Sequence, residues 1–192
     1  MKSTVRTFVA VEASPAVREQ AARLIGDFAS AGAGVKWVEP GNLHLTLKFL
    51  GDVDQSDIPR VCQAVQSAVA EVQPFEFEIR GAGAFPNLRR PRTIWLGPGR
   101  GDSQMGDLAH RVDKALQKLR FPRETRRFQA HLTIGRVRNP GPELAALGEL
   151  IEAAADAEVG LIPVHEVVVF SSDLRPSGPV YEPLCRAPLG GG

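Results

Sequence analysis

The sequence predicts an α+β fold of two pseudo-symmetric lobes, and three observations carry that prediction. Short apolar or alternating stretches of strand character are interspersed with amphipathic helices. Several neighbouring strands follow one another without a helix between them, which favours antiparallel pairing over a doubly wound parallel sheet. The order also repeats: a strand bearing His-x-Thr leads into a helix, an alternating strand, a loop containing Pro, Gly and Arg, and another strand. The 192 residues are accordingly read as one bilobal domain spanning 1–192, each lobe giving one motif strand to a shared cleft.

Thr4 to Val11 is short, apolar and β-branched, and predicts a strand. Ser14-Pro15 is a helix start, with Ser as N-cap and Pro at the first helical position. Val17, Ala21, Leu24, Ile25 and Phe28 keep helical spacing to about Ser30, where AGAG breaks the pattern. Val35 to Val38 is a short strand, followed by turn chemistry at Glu39-Pro40-Gly41-Asn42. Leu43 to Leu50 is the first motif strand, ended by Gly51-Asp52. A helix from about Ser56 to Val72 places Ile58, Val61, Val65 and Val69 on one side. Phe75, Phe77 and Ile79 alternate with Glu76, Glu78 and Arg80, as on a half-buried strand.

GAGAFPNLRRPR predicts a loop, and Thr93 to Leu96 a strand closed by Gly97-Pro98-Gly99. Asp102 to Leu119 is a helix. Arg123 to Phe128 is a basic connection into the second motif strand, roughly Phe128 to Val137. Pro142 to Ala155 is a helix. Leu161 to Phe170 and Pro179 to Cys185 are the last strands, joined by SSDLRPSG, and the closing LGGG is expected to fray.

An apolar fraction of 43%, a charged fraction of 23% and a net charge of +1 describe an ordinary globular chain. That balance argues against tight, non-specific binding to long nucleic acid, which needs a large basic surface. A local basic site for a nucleic-acid end is compatible with it. Cys62 and Cys185 suggest neither a disulfide framework nor a metal site. The opening MKSTVRTFVAVEA has too short an apolar run for a signal peptide, and no stretch is long enough to span a membrane. A cytoplasmic protein without a membrane partner is expected, acting as a monomer, since nothing suggests an obligate dimer.

The chemistry concentrates in two tetrapeptides. His44-Leu45-Thr46-Leu47 lies in NLHLTLKFLG, and His131-Leu132-Thr133-Ile134 in FQAHLTIGR; they hold two of the four histidines in the chain. Residues two apart on a strand share a face. Each copy therefore offers an imidazole and a hydroxyl side by side with aliphatic side chains behind. Strict alternation puts His44, Thr46 and Lys48 on one face and Leu43, Leu45, Leu47 and Phe49 on the other, so Phe49 is expected in the core rather than against a base.

Two imidazoles with ordinary pKa values near 6.5 supply a proton acceptor and a proton donor near neutral pH. Two hydroxyls supply donors to the oxygens of a bound phosphoryl group. Together they suit cleavage of a phosphodiester without a metal, though spacing alone does not say which histidine is acid. His110, on an amphipathic helix, and His165, with no threonine two residues on, are not expected to act.

Zinc is disfavoured because neither motif carries Asp, Glu or Cys and no H-E-x-x-H is present. Neither a G-x-S-x-G elbow nor a Gly-rich phosphate loop occurs. Arginines crowd the motifs and loops: Arg89, Arg90, Arg92, Arg123, Arg126, Arg127, Arg136 and Arg138. Arg136 is the best phosphate ligand among them, being close to His131 and Thr133, but alternation sends it to the opposite face unless a bulge or bend intervenes, expected at Gly135.

HLTLKFLG and HLTIGR resemble the paired signature of the two-histidine (2H) phosphoesterases, and within them the RNA 2′,3′-cyclic phosphodiesterases long called 2′-5′ RNA ligases. The similarity extends through RTFVAVEAS, VKWVEPGNLHLTLKFLGDV, GAGAFPNLRRPRTIWLG and VVVFSSDLRPSGPVYEPL. The resemblance implies two antiparallel-rich sheets forming a central cleft with helices outside. It implies His44 as proton donor to the leaving 3′ oxygen, His131 as the base that activates water, and Thr46 and Thr133 as phosphate-binding residues. It implies hydrolysis of RNA 2′,3′-cyclic phosphate ends, on tRNA halves or cyclic nucleotides for example, to 2′-phosphates, with no cofactor. Gly135 departs from the pattern, where relatives often carry a larger residue. The alternatives are a reversible 2′-5′ ligase and a non-catalytic module that binds RNA ends or nucleotides.

Overall fold

A computed structural model describes residues 3–191. Its first strand, β1 (Thr4–Glu12), is buried from Thr7 to Val11, which accounts for the unbroken apolar run: both faces of this strand are covered. Ser14 caps the following helix, α1 (Pro15–Ala29), its Oγ accepting the Val17 N–H at 3.3 Å. The same hydroxyl donates to the Leu161 carbonyl at 2.7 Å, so the cap also fixes the helix to a distant strand. Then come β2 (Gly34–Trp37), β3 (His44–Asp54), α2 (Ile58–Val69), β4 (Phe75–Phe85), β5 (Thr93–Pro98) and α3 (Asp102–Gln117). The chain ends with β6 (Leu132–Asn139), α4 (Leu144–Ala153), β7 (Glu158–Val164), β8 (Glu166–Arg175) and β9 (Gly178–Pro188).

The strands form two sheets, in the orders β3-β1-β8-β9 and β2-β6-β5-β4-β7, and every pairing is antiparallel. The α+β architecture is therefore as expected. Neither sheet belongs to one half of the chain, however: β1 and β3 are completed by β8 and β9, while β2, β4 and β5 are completed by β6 and β7. Helices α2 and α3 pack on the first sheet, and α1 and α4 on the second. One continuous core, including Phe28, Leu45, Phe77, Ile94, Leu116, Leu132 and Val169, runs between them. A smaller cluster of Phe8, Ala10, Val168 and Phe170, backed by Tyr181, sits on the other face of the first sheet. Among the described residues no helix is long and apolar enough to cross a membrane.

Several boundaries differ from expectation, each for a local reason. Gly51-Asp52 does not end β3. Its register with β1 slips twice, leaving Leu47 and Leu50 as extra residues, and Gly51 at φ 70° carries the strand on to Asp54. Likewise GAGAF is not a loop: β4 bends at Gly81, φ 75°, and continues to Phe85. A Cβ there would lie 2.2 Å from the Ala155 carbonyl oxygen.

The single strand expected from Leu161 to Phe170 is two strands in different sheets, split at His165 where the chain crosses between layers. SSDLRPSG is mostly strand, with only Pro176 and Ser177 between β8 and β9. The second motif strand starts at Leu132, so Phe128 to His131 precede it. Leu189 of the closing LGGG is buried and its N–H donates to the His165 carbonyl at 2.7 Å; Gly192 lies outside the described residues.

Candidate active site

The two sheets enclose a cleft of about 1230 Å³ lined by His44, Thr46, His131, Thr133 and Arg136. All five residues singled out from the sequence are thus brought to one cavity. His44 opens β3 opposite Glu12 of β1, and His131 immediately precedes β6. Each imidazole is held by the same local device. Nδ1 of His44 lies 2.6 Å from the carbonyl oxygen of Asn42, and Nδ1 of His131 lies 2.8 Å from that of Gln129. A carbonyl only accepts, so both Nδ1 atoms carry hydrogen and the neutral ring presents Nε2 as its proton acceptor. Asn42 is itself tied down, its Nδ2 donating to the Pro179 carbonyl at 3.0 Å.

Aromatic side chains set the ring positions. His44 lies 4.9 Å from Phe8 and 5.3 Å, edge-on, from Tyr181. His131 meets Phe85 edge-on at 5.1 Å, and Phe85 rests on Trp95 at 5.2 Å. Trp95 lies across Gly83, its strand partner, where a Cβ would come within 2.3 Å of the indole. The glycine there is a seat for the ring that backs His131.

Arg136 reaches the cleft through a bulge, but not at the expected residue. In the pairing of β5 with β6, Ile94 faces Gly135 and Trp95 faces Thr133, so Ile134 is the extra residue. That slip restores Arg136 to the face of Thr133. Its guanidinium donates to Thr93 Oγ1 at 3.2 Å. Gly135 has a different role: a Cβ would lie 2.7 Å from the Trp37 ring and 2.8 Å from Val35 Cγ1, so its smallness lets β2 pack closely against β6.

The bulges in β3 overturn two further expectations. Lys48 is not on the His44 face in water; it is buried against Asp113. Phe49 is not in the core: it is 66% exposed, lies 6.0 Å from Phe8 and lines the cleft. Arg6, Lys36, Arg126, Arg127, Arg138 and Arg175 also line it, against only Glu39 and Glu124 among acids. A chain of net charge +1 thus concentrates its cations in one cavity, as suits a polyanion. Arg89, Arg90, Arg92 and Arg123 do not line it, His110 faces a separate groove between α2 and α3, and His165 marks the crossing between sheets. Tyr181 and Phe8 escaped sequence reasoning; the one signal for Tyr181 was scarcity, since it is the only tyrosine. Among the described residues, no group of three or more His, Cys, Asp and Glu is placed to hold a metal.

Burial pushes the pKa of His44 down; the Asn42 carbonyl and Glu12 oppose this, while Arg136 and Arg18 add to it. Burial likewise pushes Tyr181 up. Folded His44 resists a proton that the unfolded chain binds, so the unfolded state gains protons as pH falls through about 6.5, and stability drops there. His44→Gln should flatten the fall in stability below about pH 6.5 in urea titrations, leaving the slope well above that pH unchanged.

The LigT like phosphoesterase family model matches the chain twice, over residues 11–95 and 96–181. A Methanothermobacter thermautotrophicus protein named RNA 2′,3′-cyclic phosphodiesterase is 41% identical over 92% of this chain and 95% of its own. An Archaeoglobus fulgidus protein of the same name is 37% identical over 94% of this chain and 98% of its own. Among solved structures, TT0787 of Thermus thermophilus superposes with a TM-score of 0.75 at 28% identity, covering 97% of this chain and 98% of that one.

Proposed function

Because the chain belongs to the LigT-like phosphoesterase family, we propose that it hydrolyses 2′,3′-cyclic phosphate ends of RNA to 2′-phosphomonoesters without a metal. The observation that carries this reading is the convergence of both His-x-Thr pairs and Arg136 on one cationic cleft. His131 takes a proton from water as its oxygen attacks phosphorus. The bond to the 3′ oxygen breaks, and His44 gives that oxygen a proton. Thr46, Thr133 and Arg136 hold the non-bridging oxygens as charge gathers on them. The cleft is complete within one chain, which supports action as a monomer, and the reading places that action on cytoplasmic RNA ends.

The test is a defined oligoribonucleotide with a 2′,3′-cyclic end, incubated in excess chelator. The expected product is the 2′-phosphate, identified by mass and by resistance to 3′-specific phosphatase. Activity that appears only on adding a divalent ion overturns the metal-free mechanism, and binding without turnover favours a recognition module instead. Ligation of a 5′-hydroxyl end to the cyclic phosphate is the same displacement with an alcohol in place of water. In dilute aqueous solution hydrolysis should prevail, so matched RNA halves are expected to yield far more opened ends than 2′-5′ joints.

One observation favours exchanged roles for the histidines. Half-buried His44 has its pKa pushed down by desolvation, and a neutral imidazole accepts a proton more readily than it donates one. The assignment above instead relies on the phosphate charge to restore the proton to His44 when substrate binds.

Phe49 is positioned to stack on the base carrying the cyclic phosphate. Alanine substitution at such platforms costs about 1–3 kcal/mol per base. Phe49→Ala should therefore raise KM by at least about fivefold with little change in kcat, measured by initial rates on the cyclic oligonucleotide.

A further inference from the structure

The residues from Phe121 to His131 adopt neither helix nor strand, yet they carry Arg126, Arg127 and His131 into the cleft. The segment begins where α3 ends with Arg120 in the left-handed region, φ 66°, its N–H donating to the Gln117 carbonyl and that of Phe121 to Leu116. From Pro122 to Ala130 no backbone-to-backbone hydrogen bond is made among the described residues. Among the described residues, the polar ties of Pro122 to Ala130 to the rest of the fold are to two side chains. Lys48 Nζ donates to the Pro122 carbonyl at 2.7 Å, and the Glu124 N–H donates to Asp113 Oδ1 at 3.2 Å.

Those two side chains also hold each other. Lys48 Nζ lies 2.5 Å from Asp113 Oδ1, and the Gln117 amide donates to Asp113 Oδ2 at 2.8 Å. Both side chains are almost wholly out of water, at 7% and 11% exposure. A buried pair is a weak source of stability, because desolvation offsets attraction. This pair does something an apolar pair would not: it anchors a backbone that has no ladder of its own. Lys48 stands four residues after His44 on β3, so the anchor joins the first motif strand to the segment that ends at the second histidine.

We propose that Lys48 and Asp113 are positioning residues: by pinning Pro122 and Glu124 they set where Arg126, Arg127 and His131 stand relative to His44. The catalytic half of this inference rests on the function proposed above; the structural half does not. The experiment compares wild type, K48R, K48M and the double variant K48M/D113L, which leaves neither charge unpaired. Each is digested with trypsin under native conditions, and kcat and KM are measured on the cyclic-ended oligonucleotide.

Folded K48M/D113L, verified by cooperative unfolding, should be cut at Arg123, Arg126 and Arg127 at least about tenfold faster than wild type. Its kcat/KM should fall by about 10²-fold, the scale expected for a misplacement of about 1 Å. K48R should keep both protection and most of the rate, and should K48M/D113L fail to fold, K48M carries the same comparison. A folded variant that is cut like wild type and turns over like wild type overturns the proposal, as does one whose rate falls while its cutting pattern stays unchanged. Wild-type protein that never opens the cyclic end overturns the functional reading alone, and the trypsin pattern still decides the anchor.

Discussion

His131→Ala and His44→Ala should each lower kcat on a cyclic-ended oligoribonucleotide by about 10² to 10⁴, the usual contribution of one positioned proton transfer. His131 is the cleaner test of the two. It precedes β6 and touches the fold mainly through Phe85 and the Gln129 carbonyl. Its loss removes no ladder hydrogen bond, so thermal unfolding should move little. His44 packs on Phe8 and Tyr181, and its alanine variant should also lose some stability.

The acid is identified by a substrate with sulfur as the bridging 3′ atom, because a thiolate leaves without needing a proton. If His44 is the donor, His44→Ala should recover most of its rate on that substrate and His131→Ala should not. The reverse pattern would establish the exchanged roles that the burial of His44 suggests. Rate plotted against pH should be bell-shaped in the wild type, and each variant should lose one limb.

Thr46→Val and Thr133→Val should each cost about 10² to 10³ in kcat, the scale of removing one donor to a developing oxyanion. Both hydroxyls are uncommitted, unlike those of Thr7 and Thr93. Thr7 Oγ1 donates to the Val5 carbonyl, and Thr93 Oγ1 accepts from Arg136. Thr46 and Thr133 line the cleft and make no side-chain hydrogen bond among the described residues. Valine keeps the branched shape that β3 and β6 accept, so the fold should survive. Serine at either position should restore much of the rate, since it returns the donor. A valine variant with full activity would remove that threonine from the phosphate site.

Much of this site was legible in the sequence because strand periodicity and residue scarcity act together. Two histidines, each two residues from a threonine in an apolar strand, specify a face without any knowledge of pairing. What alternation could not foresee were slips of register. One extra residue at Leu47 moved Lys48 into the interior and turned Phe49 to the face of Thr46, in the cleft. One at Ile134 brought Arg136 to the face of Thr133. A bulge depends on which strand lies alongside, and that information is spread across the chain. The same holds for His165: an apolar run looks like one strand until the partners on its two sides turn out to belong to different layers.

The interleaving of halves between the two sheets governs how this protein can be made. Thr7 pairs with Ser171, so β1 gains its second neighbour only after nearly the whole chain has left the ribosome. At about 5–20 residues per second the emerging N-terminal portion must wait on the order of ten seconds with an apolar strand edge uncovered. Folding is thus largely post-translational and dominated by distant pairings, which makes it slow. During synthesis only β3 covers an edge of the strand that supports the first histidine.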